Sequence, residues 1–439
     1  MTQLFDQTLY YFLTLVTSHQ FSLLRYFSAV IVIEMPFYAI IMLGIIRHYF
    51  VQYHTAPKRE PYYPKVSCVV VCYNEGDEIK ATLISLMEQI YRGRIEILVA
   101  IDPAGNDDTR RAAEDIKASY HHPYKEIKIQ ILEKLTRGGH ASSMNLGLAM
   151  ATGDIIISID GDCSVDNDMV ERIAEQFTDA NVIGVSGTLR VRNLKDSIWT
   201  RFQSLEYMFG IQLGRIGMGQ LNIMNNISGA FGAFRRKFLS KIGGWNNGTA
   251  EDLDLTFRIH SYFRRFKQLK MVSAPKAVLH TDAPNTLMEL LKQRLRWDGD
   301  LFYIYCRRHW RSFSPRFLGW KGFIGILWYG LLFQIALPML LLCYLTYAFY
   351  VYNLAMLLAL LAIGYCYYLV VLCLFYIVHI TLVSERRRVD LGLMPYLFLM
   401  PIYQLFMRLF TGYSVIYEII MQSHKDTSMA PWHVIKKTK

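Results

Sequence analysis

Apolar positions along the chain fall into long runs at its two ends and short runs in its middle. Residues 26–46 are almost continuously apolar between Arg25 and Arg47, with Glu34 and Pro36 inside the run. A helix rising ~1.5 Å per residue over that length can cross a bilayer core of ~30 Å. A carboxylate is costly in lipid, so Glu34 is expected to face protein. No small-residue cleavage site follows the run, which predicts an anchor and not a removable signal. Residues 4–24 are apolar but broken by Ser18, His19 and Gln20, and read as an interfacial helix or an extra span. Residues 48–65 are polar, carry Pro57, Pro61 and Pro64, and read as a linker.

From 66 to about 310 the period changes. Short β-branched runs at 66–72, 95–101, 127–132 and 155–159 alternate with helix-like segments at 76–90, 107–120 and 138–151. Such alternation predicts an α/β domain with a parallel sheet and right-handed crossovers. After 315 the apolar runs return, at 321–351 and 354–383, with a break at Tyr352-Asn353. They predict a transmembrane hairpin. The loop 384–390 carries Arg386, Arg387 and Arg388, which the positive-inside rule places in the cytoplasm. The α/β domain, on the same side of the hairpin, is expected there too. Residues 391–421 hold Pro395, Pro401 and Arg408 in a further apolar stretch. One crossing would put the tail with Lys436, Lys437 and Lys439 outside; a re-entrant or interfacial pair would keep it inside, the favoured side.

The expected layout is therefore an interfacial segment 1–25, a transmembrane helix 26–47, a linker 48–65, a cytosolic domain 66–315, membrane helices 316–421 and a basic tail 422–439.

Composition narrows the picture. Hydrophobic residues make up 53% and charged residues 19%, a balance suited to a membrane protein. The net charge of +11 suits anionic lipid or a phosphorylated substrate. No zinc finger or RNA-binding signature is visible, so nucleic acid is not an expected partner. The seven cysteines are scattered and form no disulfide or zinc pattern, consistent with a reducing compartment.

Ligands of parallel sheets bind at the carboxyl ends of the strands. Asn74, Asp102 and Asp160 each stand just past a predicted strand end, so they share one rim. Asp160-Gly161-Asp162 can hold Mg²⁺ or Mn²⁺ together with substrate phosphates; equally, Asp and Gly are ordinary turn residues. Glu251-Asp252 precedes a helix expected to begin near Leu253. These acids either complement the helix dipole or supply a general base. Gln293-Arg294-Leu295-Arg296-Trp297 lies on a predicted helix 285–297, where Gln293 and Trp297 share a face. Arginines there suit a diphosphate and the tryptophan a sugar face, although an amphipathic surface helix has the same pattern. A second acidic triplet, Asp298-Gly299-Asp300, lies in mid-helix and reads as structural or solvated. The small residues 228–233 read as a loop allowing close backbone approach, or as a tight turn or packed strand.

In this order, inside flanking spans, these motifs resemble the processive inverting family-2 glycosyltransferases: cellulose, chitin, hyaluronan and poly-N-acetylglucosamine synthases. In layout the last group is nearest. The resemblance covers roughly residues 66–300 and the membrane arrangement. It implies an α/β, GT-A-type, Rossmann-like sheet embedded between transmembrane helices. It implies a nucleotide-sugar donor, a UDP-sugar such as UDP-N-acetylglucosamine, a β-linked polysaccharide acceptor, contact with membrane lipid, and a bacterial inner-membrane location. A small membrane or periplasmic subunit would assist export. By residue, Tyr73, Asn74, Glu75 and Asp102 would line the uridine pocket. Asp160 and Asp162 would hold the diphosphate through the metal, and Asp252 would be the base. Gln293, Arg294 and Arg296 would grip the diphosphate. Ser228, Gly229, Glu251 and Trp297 would meet the acceptor. Trp432 and Lys436 resemble a tail motif of the family.

Two departures touch the donor side. Asp102-Pro103-Ala104-Gly105 stands where the family has Asp-Asp-Gly-Ser, and His140 stands where it has a lysine near the phosphates. Arg137 would supply that missing charge, and both His140 and Arg137 are expected donor-side residues. Two other readings carry fewer of the motifs. One is a non-processive transferase acting on a lipid acceptor, and the other a catalytically silent membrane subunit that binds nucleotide or scaffolds a complex.

Overall fold

Four apolar runs form the parallel half of one sheet: β1 (Val66–Cys72), β2 (Ile95–Ile101), β3 (Lys128–Glu133) and β4 (Ile155–Asp160), in a computed structural model that describes residues 2–17, 21–54, 62–102, 107–119, 127–134, 138–246, 248 and 250–425. Every residue of β1 and β2 is buried, which is why those runs show no polar alternation. Helices Glu78–Met87, Asp107–Ser119 and Gly139–Met150 connect the strands. The register pairs Cys72 with Ile101 and Val71 with Asp160, so the chain leaves β1, β2 and β4 along one edge.

The second half is antiparallel and mixed. It comprises β5 (Ser164–Val165), β6 (Val182–Val191), β7 (Phe231–Arg235) and β8 (Lys270–Thr281), and the sheet order is β3-β2-β1-β4-β7-β6-β8-β5. β7 runs antiparallel to both β4 and β6. The small-residue segment 228–233 is thus only partly loop: from Phe231 onward it is a buried strand. Gly232 fits against β4 closely enough to donate its N–H to Ser158 Oγ at 3.1 Å.

Among the described residues three helices are long and apolar enough to cross a membrane: Arg25–His54, Pro315–Val351 and Leu354–Val383. The first continues through His54, past the expected start of the linker at 48. His48, inside the expected linker, is helical, and its Nδ1 pairs with Gln220 Nε2 at 2.9 Å. The hairpin breaks at Tyr352-Asn353, where the Asn353 side chain accepts the Met356 N–H (2.9 Å) and caps the second helix. Residues 391–421 resolve into Met394–Leu397 and Met400–Met421, with Pro395 and Pro401 in their first turns.

Glu34 is fully buried and faces protein, as its cost in lipid requires. Arg408 Nη1 and the Tyr368 hydroxyl donate to its Oε2 at 3.0 and 2.7 Å. The loop after the hairpin docks on the α/β domain. Arg190 reaches Asp390 at 3.1 Å and Arg386 reaches Asp166 at 2.8 Å. The hairpin therefore returns to the domain it left. All seven cysteines are free thiols.

Candidate active site

The helix carrying the expected base is Glu251–Phe263. It begins two residues earlier than the sequence suggested, because the Ala250 carbonyl already accepts the Asp254 N–H at 3.0 Å. Glu251 and Asp252 therefore both lie in its first turn, where the dipole favours negative charge. Asp252 Oδ2 accepts from Asn226 Nδ2 (3.2 Å) and from the Gly229 N–H (3.3 Å). Its Oδ1 accepts the Leu253 N–H at 2.7 Å. Burial, then the neighbouring Glu251 carboxylate, raises the Asp252 acid above its ordinary 3.8, while the three donors pull it back. A carboxylate made a stronger proton acceptor by its surroundings is suited to general-base work.

His140 joins the two acidic motifs. Its Nε2 lies 3.0 Å from Asp160 Oδ1 and its Nδ1 2.8 Å from Glu251 Oε1. Burial pulls the imidazole toward neutrality, but the Glu251 and Asp160 carboxylates outweigh it and hold the ring protonated well above 6.5. His140 thus supplies a cation at the place where the resembling family has lysine. Gly229 lies between the two sides: a Cβ there would sit 3.0 Å from Glu251 Oε1, 3.6 Å from His140 Cε1 and 3.8 Å from Asp252 Cβ. A side chain there would press on the Glu251 carboxylate, which glycine leaves room for.

The loop ahead of the base is pinned from the other direction. Asn145 Nδ2 donates to the Trp245 carbonyl (2.7 Å) and its Oδ1 accepts the Trp245 N–H (2.9 Å). Gly244, at φ +65°, faces Asn145 Oδ1 where a Cβ would lie 2.3 Å away. Helix Gly139–Met150, which bears His140, and the turn leading to Asp252 are therefore fastened together.

On the rim, Asp102 Oδ2 accepts the N–H groups of Gly138 and Gly139 at 3.2 and 2.8 Å. Asn74 adopts φ +64° directly after β1 and turns the chain at the same edge. Among the described residues no three His, Cys, Asp or Glu side chains form a ready-made metal cage. Asp160 and Asp162 supply a partial shell. Glu75 packs beside them: a Cβ on Gly161 would lie 3.2 Å from its Cδ. Glu75 Oε2 is buried without a hydrogen-bond partner among the described residues. Burial, then the fields of Asp162 and Asp160, pushes Glu75 up to about 6, and burial with Asp160 raises Asp162. Crowded oxygen donors with an orphaned carboxylate oxygen fit a hard dication such as Mg²⁺ or Mn²⁺ that shares its remaining positions with phosphate.

The helix Leu287–Phe302 carries the Gln-x-x-Arg-Trp motif. Trp297 is exposed, and the Arg294 guanidinium lies over its ring at 4.9 Å. Arg294 also pairs with Glu206 at 2.5 Å, so its charge is committed within the protein. Arg296 is exposed, and Gln293 Oε1 is buried without a partner. Of the triplet Asp298-Gly299-Asp300, Gly299 and Asp300 are buried.

Two charged groups escaped the sequence reading. Lys134 Nζ lies 3.4 Å from Asp102 Oδ2 and 3.3 Å from Ser143 Oγ, a buried cation on the donor rim. Arg215 is 7% exposed, bonds Ser186 Oγ at 2.9 Å, and lies within the field of Asp252. Lys134 ends a strand as many lysines do, and Arg215 sits in a helix with no local motif, so neither gives a signal in sequence. Arg137, Pro103, Ala104, Gly105, Trp432 and Lys436 lie outside the described residues.

The sheet sets a rim of acids, Asp102, Asp160 and Asp162, opposite the half-buried Asp252. Residues 67–243 match the model described as Glycosyl transferase family 2. The chain carries a family-2 glycosyltransferase domain of the GT-A type. It is 26% identical over 284 residues to a poly-β-1,6-N-acetyl-D-glucosamine synthase of Staphylococcus epidermidis, a stretch covering 64% of each chain. It is 30% identical over 270 residues to a probable glycosyltransferase of Bacillus subtilis, covering 60% of this chain and 61% of that one. The matched stretch is thus a little under two thirds of the length of these relatives. In fold it is similar to a mannosyltransferase of Pyrobaculum calidifontis solved in complex with GDP-Man and Mn²⁺. There the TM-score is 0.54 at 17% identity, covering 88% of this chain and 99% of that one.

Proposed function

We propose that this protein is a polysaccharide synthase of the bacterial inner membrane. It transfers a sugar from a nucleotide-diphosphate donor, UDP-N-acetylglucosamine by the relatives' example, to the growing end of a β-linked polymer. The observation that carries the reading is Asp252: a half-buried carboxylate with raised basicity, set across Gly229, Glu251 and His140 from the acids at the end of β4.

Asp252 takes the proton from the acceptor hydroxyl as its oxygen attacks the sugar C1. Attack opposite the leaving diphosphate inverts the anomeric centre. His140, held protonated, and the exposed Arg296 offer positive charge to the departing diphosphate. A divalent cation on Asp160 and Asp162 would neutralise the phosphate charge. Trp297 offers an apolar face on which an acceptor sugar can stack. The α/β domain lies on the cytosolic side, and the membrane helices carry the product outward, with lipid around them and a small accessory subunit assisting export.

Purified protein incubated with a panel of nucleotide sugars and Mn²⁺, followed by linkage and length analysis, tests the reading. UDP release with a β-linked polymer is the expected result. No diphosphate release from any donor would sink it, and a single sugar per lipid would replace it with the non-processive alternative.

A further inference from the structure

The base helix carries a second acid that faces away from the reaction. Asp254 is fully buried, two residues after Asp252. Two residues on an α-helix are rotated by about 200°, so the two carboxylates point to opposite sides. Asp254 Oδ2 accepts from Asn246 Nδ2 and Arg258 Nε, both at 2.8 Å. Its Oδ1 lies 3.1 Å from Arg308 Nε and 2.8 Å from His309 Nε2. These partners come from three places. Asn246 belongs to the turn before the base, Arg258 to the same helix, and Arg308 and His309 to the segment that continues the Gln-x-x-Arg-Trp helix toward the membrane.

The surroundings extend the tie. Arg258 spends its other nitrogens on the carbonyls of Ile242 (2.9 Å) and Gly244 (2.6 Å), closing the turn onto the helix. His309 also stacks on Phe257 with ring centroids 4.3 Å apart. A buried carboxylate is tolerated only when its charge is compensated, and here several elements must stay in register to compensate it.

We propose that Asp254 is a positioning residue for the base. It clamps the first turn of the Asp252 helix to the 303–309 segment, so that acceptor-side chemistry and the Trp297-bearing helix hold one geometry. The proposal rests on the reading of Asp252 as the base.

The test uses the full-length chain in detergent or nanodiscs, with activity normalised to the fraction that binds nucleotide diphosphate. Asp254→Asn is expected to lower kcat roughly ten- to hundredfold with donor KM within about twofold, because misplacing a catalytic group by up to about 1 Å carries that cost. A purely structural residue would reduce the binding-competent fraction and leave normalised kcat intact, which would overturn the proposal. Should Asp254→Asn fail to fold, the double variant Arg308→Gln/His309→Gln decides. It keeps the Asp254–Arg258 pair within the helix and cuts only the tie between elements. A comparable kcat loss supports the clamp; wild-type normalised kcat overturns it. If the wild-type chain turns over no nucleotide sugar, the function reading fails first and the clamp falls with it.

Discussion

His140 Nε2 stands 3.0 Å from Asp160 Oδ1, and the opposite nitrogen of the same ring stands 2.8 Å from Glu251 Oε1. One imidazolium thereby couples an acid at the end of β4 to an acid in the first turn of the Asp252 helix. Replacing it with alanine removes a cation from beside Asp160. Two effects of opposite sign should follow. The departing diphosphate loses positive charge, so kcat falls by about tenfold or more. The acids at the end of β4 become more attractive to a dication, so half-maximal activation needs less Mn²⁺. A Mn²⁺ titration of His140→Ala turnover reads both. Activation at unchanged or higher Mn²⁺ would show that His140 does not tune these carboxylates.

As the proposed base, Asp252 would have to be ionised to act, and its acid is raised above 3.8 by burial and by Glu251. The acid limb of kcat/KM should therefore lie above the ordinary aspartate range, with rate lost as pH falls through it. Asp252→Asn should cost roughly 10²–10⁴-fold in turnover.

The same shift has a stability consequence. With the folded value above the unfolded one, the native state binds the proton more tightly. Stability is then highest below the unfolded value and falls as pH rises through the folded value. At neutral pH the wild-type chain carries the cost of that half-buried charge. Asp252→Asn should therefore melt at a higher temperature than wild type at pH 7, and the gain should shrink on acidification. A variant that is both inactive and less stable at pH 7 would contradict this account.

How far this was legible in the chain differs between its halves. β1, β2 and β4 are buried on both faces, so their apolar runs announce them with near-correct ends, and the edge strand β3 is partly exposed yet keeps enough apolar residues to be seen. β6 and β8 do not: β6 contains Gly184, Gly187 and Thr188, and β8 is interrupted by Pro275 and pairs through register shifts. The motif acids were legible because strand ends and helix starts are local features. Their partners were not. His140 meets Glu251, Asn145 meets Trp245, and Asp254 meets Arg308 across long stretches of chain, and only the fold brings them together. Arg294 shows the converse: its motif pointed to the diphosphate, while Glu206, distant in sequence, holds it.

Metal dependence follows from the crowding around Asp160. Chelation with EDTA should abolish turnover, and Mn²⁺ should restore it. Asp162→Ala should leave the fold intact yet weaken nucleotide-diphosphate binding in Mn²⁺ by at least about tenfold, since one of two hard ligands is gone. Calorimetric titration of UDP with and without Mn²⁺ measures this directly. Equal affinity in both conditions would exclude a bridging cation.

The pair Glu34–Arg408 makes a separate prediction about the membrane region. Glu34 is fully buried, and Arg408 joins the first span to the helix Met400–Met421 through it. The Tyr368 hydroxyl completes the shell of Glu34. Removing one partner leaves an uncompensated buried charge, which typically costs about 3–5 kcal/mol. Glu34→Leu and Arg408→Leu should each lower the melting temperature in detergent sharply. The double variant removes both charges together, and leucine suits the apolar surroundings. It should therefore melt well above either single variant and close to wild type. Strictly additive losses in this double-mutant cycle would mean that the two residues stabilise the bundle independently. Recovery in the double variant would mean that the pair chiefly neutralises its own cost, and that its contribution lies in fixing how the first span sits against the last helix.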